Sequence, residues 1–281
     1  MLSYLLHDFI IEKHIKRALE EDIGYGDIST DYIEASEHTL TAVINSREEG
    51  IVCGVDVAKK VFKILDKTVE INTLIEDGEK LSKGQDIAII KGNARGILTA
   101  ERTALNYIQR MSAIATMTNK YVQELEGFKA QIVETRKTTP CFRIFEKYAV
   151  QIGGGATHRF GLSDCVMLKD NHIALCGGIK QAVEKVKKHI SYTHKIEVET
   201  DNLKQVEEAV EAGVDIIMLD NMSCSDMEKA VKIINHRALV EASGNIKLKN
   251  LKEIASTGVD FISTSATIVK AGALYIGLDI Y

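Results

Sequence analysis

The sequence is poor in proline and has no regular pattern of cysteines. Pro140 is the single proline in 281 residues, so proline rings end few helices and stiffen few loops, and Pro140 marks an unusual segment. The five cysteines are an odd number and form no CxxC pair. This spacing supports neither a disulfide framework nor a zinc ribbon, and we expect reduced thiols.

Long apolar runs and an excess of positive charge are also lacking. The longest apolar runs, such as 214–219 with Asp215 inside it, are far shorter than the roughly 20 residues that cross a bilayer. The 35 Lys and Arg against 40 Asp and Glu give a net charge of −5, which argues against binding nucleic acid through the overall field. Residues 1–8 lack a basic region and a small-residue cleavage site. We therefore expect a cytoplasmic protein with neither a nucleic acid nor a membrane as partner.

The remaining composition is that of an ordinary globular protein. Hydrophobic residues make up 45% and charged residues 27% of a chain long enough for two domains. Disorder, collagen and coiled coil are thereby excluded.

The first part of the chain predicts a helix, a mostly β region and a long helix. Residues 8–20 have helical apolar spacing, and 39–91 alternate apolar and polar residues between glycines, with a helix-like stretch at 55–65. Residues 100–122 contain neither glycine nor proline and predict one long helix or two joined ones. This helical region is expected to bridge two domains.

After Lys129 short β-like runs alternate with amphipathic helices, which is typical of βα units around a parallel sheet. The predicted strands are 131–134, 165–168, 196–198, 214–219, 238–242 and 259–263. Two units contain similar sequences, AGVDII at 212–217 and TGVDFI at 257–262, separated by two βα periods, as expected of a barrel. A doubly wound open sheet stays possible, although no GxGxxG follows the first strand.

Polar residues follow every predicted strand. Because the carboxyl ends of barrel strands converge on one face, we expect these residues to share one pocket. Their leading members are Thr135, Arg136, Lys137, Lys169, Asp170, Asn171, His172, Glu199, Asp220, Asn221, Ser243, Gly244, Asn245, Thr264, Ser265 and Ala266.

The segment from Thr135 to His172 is basic. It holds six Lys or Arg and two His against three acids, which on an acidic protein indicates a local site for carboxylates or phosphates. Arg143 and Lys147 are four residues apart on a predicted helix, and the favoured interpretation of this pair is a solvated face. The strand-end position of Arg136, Lys137 and Lys169 favours a binding role.

Glu199 and Asp220 end successive predicted strands. Two carboxylates there suit a divalent cation or ribose hydroxyls, and a salt bridge at the barrel rim is the alternative. The small residues after the later strands, 243–245 and 263–266, are typical of a phosphate site. The glycine run 153–155 is either an anion loop or a structural turn. No GxSxG, Walker A or HExxH sequence supports a hydrolytic or triphosphatase function.

Together these segments strongly resemble the quinolinate phosphoribosyltransferase family, also called carboxylating nicotinate-nucleotide pyrophosphorylases. The resemblance extends over nearly the whole chain. The segments that carry it are EDIGYGD at 21–27, ERTALN at 101–106, ETRKTTP at 134–140, KYAV at 147–150, GGGATHRFGLSD at 153–164, LKDNHI at 168–173, EVE at 197–199, MLDN at 218–221 and EASGN at 241–245.

This resemblance implies an α/β protein with an N-terminal α/β sandwich and an incomplete TIM-like α/β barrel. We expect the sandwich over 1–112, the barrel over 113–269, and a possible return of 270–281 to the sandwich. The family forms an obligate homodimer with shared active sites, and a higher oligomer is possible. It joins quinolinate to phosphoribosyl pyrophosphate in NAD biosynthesis, giving nicotinate mononucleotide, pyrophosphate and carbon dioxide, with Mg²⁺ as cofactor.

Site residues are implied where this sequence matches the family. Glu199 and Asp220 are expected to face the ribose and Mg²⁺, and Lys137, Lys169, Glu199 and Asp220 form the expected catalytic set. Substrate is expected to contact Arg102 of the other subunit, Thr135, Arg136, Lys137, His158, Arg159, Lys169, Glu199, Asp220, Ser243, Gly244, Asn245, Thr264, Ser265 and Ala266. In this set 243–245 and 264–266 would receive the 5-phosphate.

The sequence departs from the family pattern in three places. Thr157 replaces an asparagine, Ser265 replaces a glycine, and 269–272 replace a His-Ser-Ala-Pro sequence. If the loop at Ser265 requires a positive φ, its Cβ would weaken phosphate binding. The alternatives are a related phosphoribosyltransferase-like protein associated with molybdenum transport, against which LKDNHI argues, and a barrel that binds anions without catalysis.

Overall fold

A computed structural model describes residues 7–33 and 35–281. Residues 1–6 lie outside the described residues. They include most of the segment 1–8, whose lack of a basic region and a cleavage site supported the expected location. The chain divides into two compact units. The first contains the described residues up to Asn119 together with Thr139–Gly154 and Lys270–Tyr281, and the second contains Lys120–Thr138 and Gly155–Val269.

The first unit is built on antiparallel strands. Its four-stranded sheet has the order β12-β1-β5-β3, and a two-stranded ribbon pairs β2 with β4. These strands are β1 (Thr39–Ser46), β2 (Gly50–Ile51), β3 (Glu70–Thr73), β4 (Lys80–Leu81), β5 (Asp86–Asn93) and β12 (Ile276–Ile280). Because β12 pairs with β1, the end of the chain returns to this unit.

Among the described residues, the α-helices that begin in the first unit are α1 (Asp8–Ile23), α2 (Ile28–Tyr32), α3 (Val55–Leu65), α4 (Ala94–Glu124) and α5 (Arg143–Ile152). Helix α3 has the predicted bounds and buries Val57, Val61 and Phe62, which share one face at helical spacing. The long helical region is one helix, α4, which continues past the last residue of the first unit's leading segment.

Helix α5 groups with the first unit, although the sequence assigns 113–269 to a single barrel domain. Its side chains explain this placement: Glu146 is fully buried and pairs with Arg110 of α4 at 2.9 Å. Lys147 is only 1% exposed, so the interpretation of Arg143 and Lys147 as a solvated face is wrong for Lys147. Residues 145–150 of this helix are buried, so it does not present a fully solvated face.

The second unit is a parallel sheet of six strands in the order β6-β11-β10-β9-β8-β7. Strands β7 to β11 lie side by side in chain order, which excludes a doubly wound order, and the first strand, β6, pairs with the last, β11. Among the described residues β6 and β7 do not pair, so the predicted incomplete barrel is confirmed. The strands are β6 (Gln131–Val133), β7 (Val166–Leu168), β8 (Ile196–Thr200), β9 (Ile216–Asp220), β10 (Leu239–Ser243) and β11 (Phe261–Ser263).

The helices of this unit follow its strands: α6 (Asp170–Cys176), α7 (Ile179–Lys187), α8 (Leu203–Glu211), α9 (Cys224–Ile234), α10 (Leu251–Ser256) and α11 (Ala266–Val269). The strand side chains Val198, Ile217, Leu219, Ala242 and Ile262 have no exposed surface and share one face of the parallel sheet. Within the described part of the chain no helix is long and apolar enough to cross a membrane.

Candidate active site at the carboxyl ends of the parallel strands

The carboxyl ends of the parallel strands bring several predicted site residues side by side. Strand register pairs Ser243 of β10 with Asp220 of β9, and Glu199 of β8 with Met218 of the same strand β9. Glu199, Asp220 and Ser243 are partly exposed, whereas the residues before them on the strands are buried. The expected convergence on one face is therefore present for these three strands.

Lys169 and Glu199 form the most direct contact between predicted site residues. Lys169 follows β7 and is the N-cap of α6, while Glu199 lies near the end of the neighbouring strand β8. The Lys169 Nζ donates to Glu199 Oε2. The lysine side chain remains 45% exposed and the glutamate 19% exposed, so this ion pair stays open to solvent. Such a pair holds a cation and a carboxylate within reach of one ligand.

Asp220 and the loop after β10 are joined by amide side chains. Asn221 Nδ2 donates to Asp220 Oδ2 at 2.7 Å, and Asn245 Nδ2 donates to Asn221 Oδ1 at 2.9 Å. The Asn221 N–H also donates to the Ser243 carbonyl at 2.9 Å. Gly244, which lies between Ser243 and Asn245, has φ +90°. The predicted donor-binding carboxylate and the predicted phosphate loop thus form one connected structure.

His158 lies deeper in the barrel, among carboxylates. Its Nε2 is 3.4 Å from Glu197 Oε2 and 3.4 Å from Glu241 Oε2, and its backbone N–H donates to both oxygens of Glu134 at 3.1 and 3.2 Å. Glu134 and Glu197 have no exposed surface and Glu241 is 4% exposed. Each acid comes from a different strand or strand end, so three parts of the sheet contact the one residue His158.

The electrostatics of this cluster favour a charged histidine. Burial lowers the pKa of His158, but the carboxylates of Glu197 and Glu241 outweigh burial and raise it to about 9. Burial, together with the neighbouring Glu241 charge, raises the pKa of Glu197. His158, Glu197 and Glu241 lie close enough together to resemble a metal-ligand set. In the structure the imidazole lies between the two carboxylates, and the three side chains form an ion-pair network.

The other predicted cations occupy strand-end loops. Arg136 and Lys137 are exposed after β6, where the Lys137 N–H donates to Thr135 Oγ1 at 3.1 Å. Arg159 is half-buried, and its guanidinium donates to the Cys165 carbonyl at 3.2 Å and lies 3.4 Å from Met167 Sδ. These contacts fix the guanidinium without neutralising its charge.

The loop after β11 has an ordinary backbone. Thr264 donates its N–H to the Val133 carbonyl at 3.0 Å, and its hydroxyl accepts from the Ala266 N–H at 3.1 Å. Ser265 is absent from the described non-glycine residues with positive φ. The condition under which its Cβ would strain the loop is therefore not met.

Two predicted features lie in the first unit. Arg102 is an exposed residue of α4, and nothing in the structure tests its expected entry into a partner's site. Gly153 has a structural reason to be glycine, because a Cβ there would lie 2.4 Å from the Ala115 carbonyl oxygen. Of the two interpretations of the glycine run, the structural turn fits Gly153.

Sequence reasoning expected Asn221 in the shared pocket but gave it no task there, and it assigned no role to Glu134, Glu197 or Glu241. The three acids offered one signal, since each stands directly beside apolar residues inside or just after a short predicted strand. Asn221 offered none beyond following an acid at a strand end. Its φ of +54° and its contacts are visible only in the fold.

Two family models match consecutive parts of the chain. The N-terminal domain of quinolinate phosphoribosyl transferase matches residues 27–112, and the C-terminal domain of the same family matches residues 114–279. The chain belongs to the quinolinate phosphoribosyl transferase family. The resemblance seen in the sequence is confirmed, and the family is one of phosphoribosyltransferase enzymes.

Similar proteins agree with this assignment. A probable nicotinate-nucleotide pyrophosphorylase [carboxylating] of Synechocystis is 44% identical, over 96% of this chain and 92% of the relative. One of Methanocaldococcus jannaschii is 42% identical, over 98% and 99%. The solved nicotinate-nucleotide pyrophosphorylase of Francisella tularensis superposes with a TM-score of 0.94 at 42% identity and covers 100% of both chains. Both the fold class and the family expected from the sequence are thus supported over the full length.

Proposed function

We propose that the carboxyl face of the second unit joins quinolinate to phosphoribosyl pyrophosphate in NAD biosynthesis, as the names of the relatives indicate for those proteins. The observation that carries this proposal is the contact between Lys169 and Glu199. In the reaction the pyridine nitrogen bonds to the ribose C1. The 2-carboxylate is attached to C2, the ring carbon next to that nitrogen. A cation for the acceptor carboxylate must therefore adjoin a carboxylate that faces the ribose.

The acceptor half of the site would be cationic. Arg136, Lys137, Arg159 and Lys169 supply permanent charges, and the carboxylates around His158 keep its ring protonated at neutral pH. A pyridine dicarboxylate places two anions on adjacent carbons, which suits several converging cations better than a monocarboxylate does. A monocarboxylate would leave part of this charge unpaired, at about 1–3 kcal/mol for each unsatisfied group.

The donor half would be formed by Glu199, Asp220 and the loops 243–245 and 264–266. Asp220 Oδ2 accepts from Asn221, while Oδ1 accepts no hydrogen bond from any residue that the structure describes. Two partly exposed carboxylates fit Mg²⁺, which takes one or two carboxylates and fills its other positions with water and substrate phosphates. Mg²⁺ held by Glu199 and Asp220 would offset the charge of the departing pyrophosphate.

The chain's own residues would act by position and charge. As the bond from C1 to the pyrophosphate oxygen breaks, positive charge develops on the ribose, and the carboxylates of Glu199 and Asp220 stabilise it. The pyridine nitrogen then holds the new bond to C1. The 2-carboxylate leaves as carbon dioxide, its electron pair stays on C2, and a proton from water replaces it there. The cations around the ring stabilise this electron-rich carbon.

Assembly and location complete the proposal. Arg102 would enter the site of a partner subunit in a homodimer, since a guanidinium can hold a carboxylate through two parallel hydrogen bonds. A higher oligomer built from such dimers is compatible with the same contact. All five cysteines are free, which suits a reducing compartment such as the cytoplasm.

The central test measures pyrophosphate release from phosphoribosyl pyrophosphate and Mg²⁺ with quinolinate or with nicotinate. We expect release with quinolinate and at most a few per cent of that rate with nicotinate. Equal rates would contradict the assignment of Arg136, Arg159 and Lys169 to a second carboxylate. Binding of both substrates without release would instead identify a barrel that binds anions without catalysis.

Shared sites are tested by mixing two inactive variants, Arg102→Ala and Lys137→Ala. Each heterodimer would contain one intact site, so we expect up to about half of the wild-type activity per heterodimer. Heterodimers verified by mass spectrometry that stay inactive would contradict the contribution of Arg102 in trans. The pyrophosphate assay on the wild-type protein would still stand.

A further inference from the structure

Two asparagines with left-handed backbones stand at the ends of neighbouring strands. Asn221, directly after β9, has φ +54°, and Asn245, two residues after β10, has φ +54°. Asparagine tolerates this conformation better than other residues with a side chain, yet it still costs free energy. Two such residues facing each other at a candidate active site indicate that the conformation serves the site.

The side chains of these asparagines form a directed chain of hydrogen bonds. Asn245 Nδ2 donates to Asn221 Oδ1 at 2.9 Å, and Asn221 Nδ2 donates to Asp220 Oδ2 at 2.7 Å. Because the Asp220 carboxylate only accepts, the nitrogen of Asn221 must face it. The oxygen of Asn221 therefore faces Asn245, and the orientation of both amides follows from the charge of Asp220.

Gly244 is shaped by the same contact. A Cβ on Gly244 would lie 2.2 Å from Asn221 Oδ1, and its φ of +90° also disfavours a side chain. In addition, the Asn221 N–H donates to the Ser243 carbonyl at 2.9 Å. The loop after β10 is thus folded over the Asn221 side chain.

We propose that Asn221 is a positioning residue that fixes the Asp220 carboxylate and ties it to the loop 243–245. This inference rests on the proposed role of Asp220 toward the phosphoribosyl donor. The amide occupies Asp220 Oδ2 and leaves Oδ1 for the donor. Because one hydrogen of Asn245 Nδ2 is donated to Asn221, Asn245 can offer a phosphate its backbone N–H and the second hydrogen of its amide. Binding of the 5-phosphate at the loop and orientation of the carboxylate are then one event.

The test compares Asn221→Gly with Asn221→Asp. Glycine keeps the left-handed backbone and removes the amide, whereas aspartate keeps the size of the side chain but places a second carboxylate beside Asp220. We expect the glycine variant to lower kcat about tenfold and raise KM for the donor several-fold. The aspartate variant should lower kcat/KM for the donor further than the glycine variant does. The dissociation constant of quinolinate, measured by calorimetry, should change less than twofold in both.

Asn235→Gly is the matched control. Asn235 is also left-handed, with φ +44°, but it caps the end of α9 and belongs to neither proposed binding loop. This variant should keep wild-type kinetics. Thermal unfolding of all three variants separates a loss of folded protein from a loss of turnover.

A double-mutant cycle tests the link to Gly244. If the Asn221 side chain is what a Cβ at 244 displaces, Gly244→Ala should cost a smaller factor in kcat/KM for the donor in the Asn221→Gly background than in the wild type. An equal factor in both backgrounds would overturn this link.

The outcomes distinguish the positioning role of Asn221 from the proposed role of Asp220 toward the donor. Wild-type donor kinetics in Asn221→Gly, with a severe loss in Asp220→Asn, would overturn the positioning role alone. Wild-type donor kinetics in Asp220→Asn would overturn the proposed role of Asp220 itself. If Asn221→Gly lost as much affinity for quinolinate as for the donor, the contact would lie beside the acceptor, and the inference would be overturned.

Discussion

The two ends of the barrel strands use the same residue types for different purposes. At the amino ends, Asp215 and Asp260 directly precede β9 and β11, in the two similar sequences. The Asp215 carboxylate accepts the Ile196 N–H at 2.8 Å, and the Asp260 carboxylate accepts the Val240 N–H at 2.9 Å. Each acid joins its own strand to the neighbouring one by capping a backbone donor.

At the carboxyl ends the acids contact side chains instead. Glu199 pairs with Lys169, and Asp220 accepts from Asn221. A cavity of about 490 Å³ opens at the amino ends, so volume alone does not mark the active face. The partner of an acid is the better guide, because a bond to the backbone holds strands together, while a bond to a partly exposed side chain leaves the acid oriented at the open face of the site.

The sharpest test of this difference is Asp220→Asn. Without its charge the residue stabilises developing positive charge on the ribose less well, and turnover should fall on the order of 10²-fold. The unfolding midpoint should stay near that of the wild type. Kinetics with varied donor and calorimetry with quinolinate measure both halves of the site, and unchanged turnover would contradict the division between the two ends.

A second prediction concerns the histidine inside the barrel. The pKa of His158 is raised from 6.5 to about 9, so its ion pairs contribute fully below about pH 6.5 and are lost as pH rises through 9. The raised pKa of Glu197 has the same sign, because the folded state again binds the proton more tightly. The free energy of unfolding should fall by up to about 3 kcal/mol across this window.

Urea unfolding between pH 6 and pH 10 checks this dependence against His158→Gln. The variant should show a flatter profile, since lysines and tyrosines titrate equally in both proteins. Parallel profiles for the two proteins would contradict the ion-pair interpretation.

A third prediction concerns the amino ends of the strands, where we expect a loss of stability with turnover unchanged. Asp260→Ala removes the acceptor of the Val240 N–H and the 2.6 Å pair with Lys129, and should lower the free energy of unfolding by about 1–2 kcal/mol. Turnover per folded molecule should stay within twofold of the wild type. Lys129→Ala is the control, because that side chain is 71% exposed and its pair contributes little. A large loss of turnover in Asp260→Ala would erase the distinction between the ends.

The smallest expected effect is that of Ser265→Gly. Since the described backbone gives Ser265 no positive φ, glycine relieves no strain there, and KM for the donor should change less than twofold. A small loss of stability, below about 1 kcal/mol, follows from the greater freedom of glycine in the unfolded chain. A tenfold gain in donor affinity would show that the loop requires glycine at this position.

Much of the fold followed from local patterns. All six barrel strands lie within two residues of their predicted starts, because buried parallel strands are short apolar runs bounded by polar residues. The placement of α5 in the first unit did not follow, since its amphipathic pattern fits either unit. The contacts of Glu146 with Arg110 and of Tyr148 with Asp77 reveal the choice.

The sequence by itself determined the alternation of strands and helices, the polar strand ends and the family, because these depend on residue types at fixed spacing. The tertiary structure alone decided which polar side chains meet. Glu197 and Glu241 lie on separate strands, yet both reach His158, and Asn221 reaches Asn245 across two strand ends. Such contacts depend on strand register and on backbone angles such as the positive φ of Asn221, and neither is written in the local pattern of the chain.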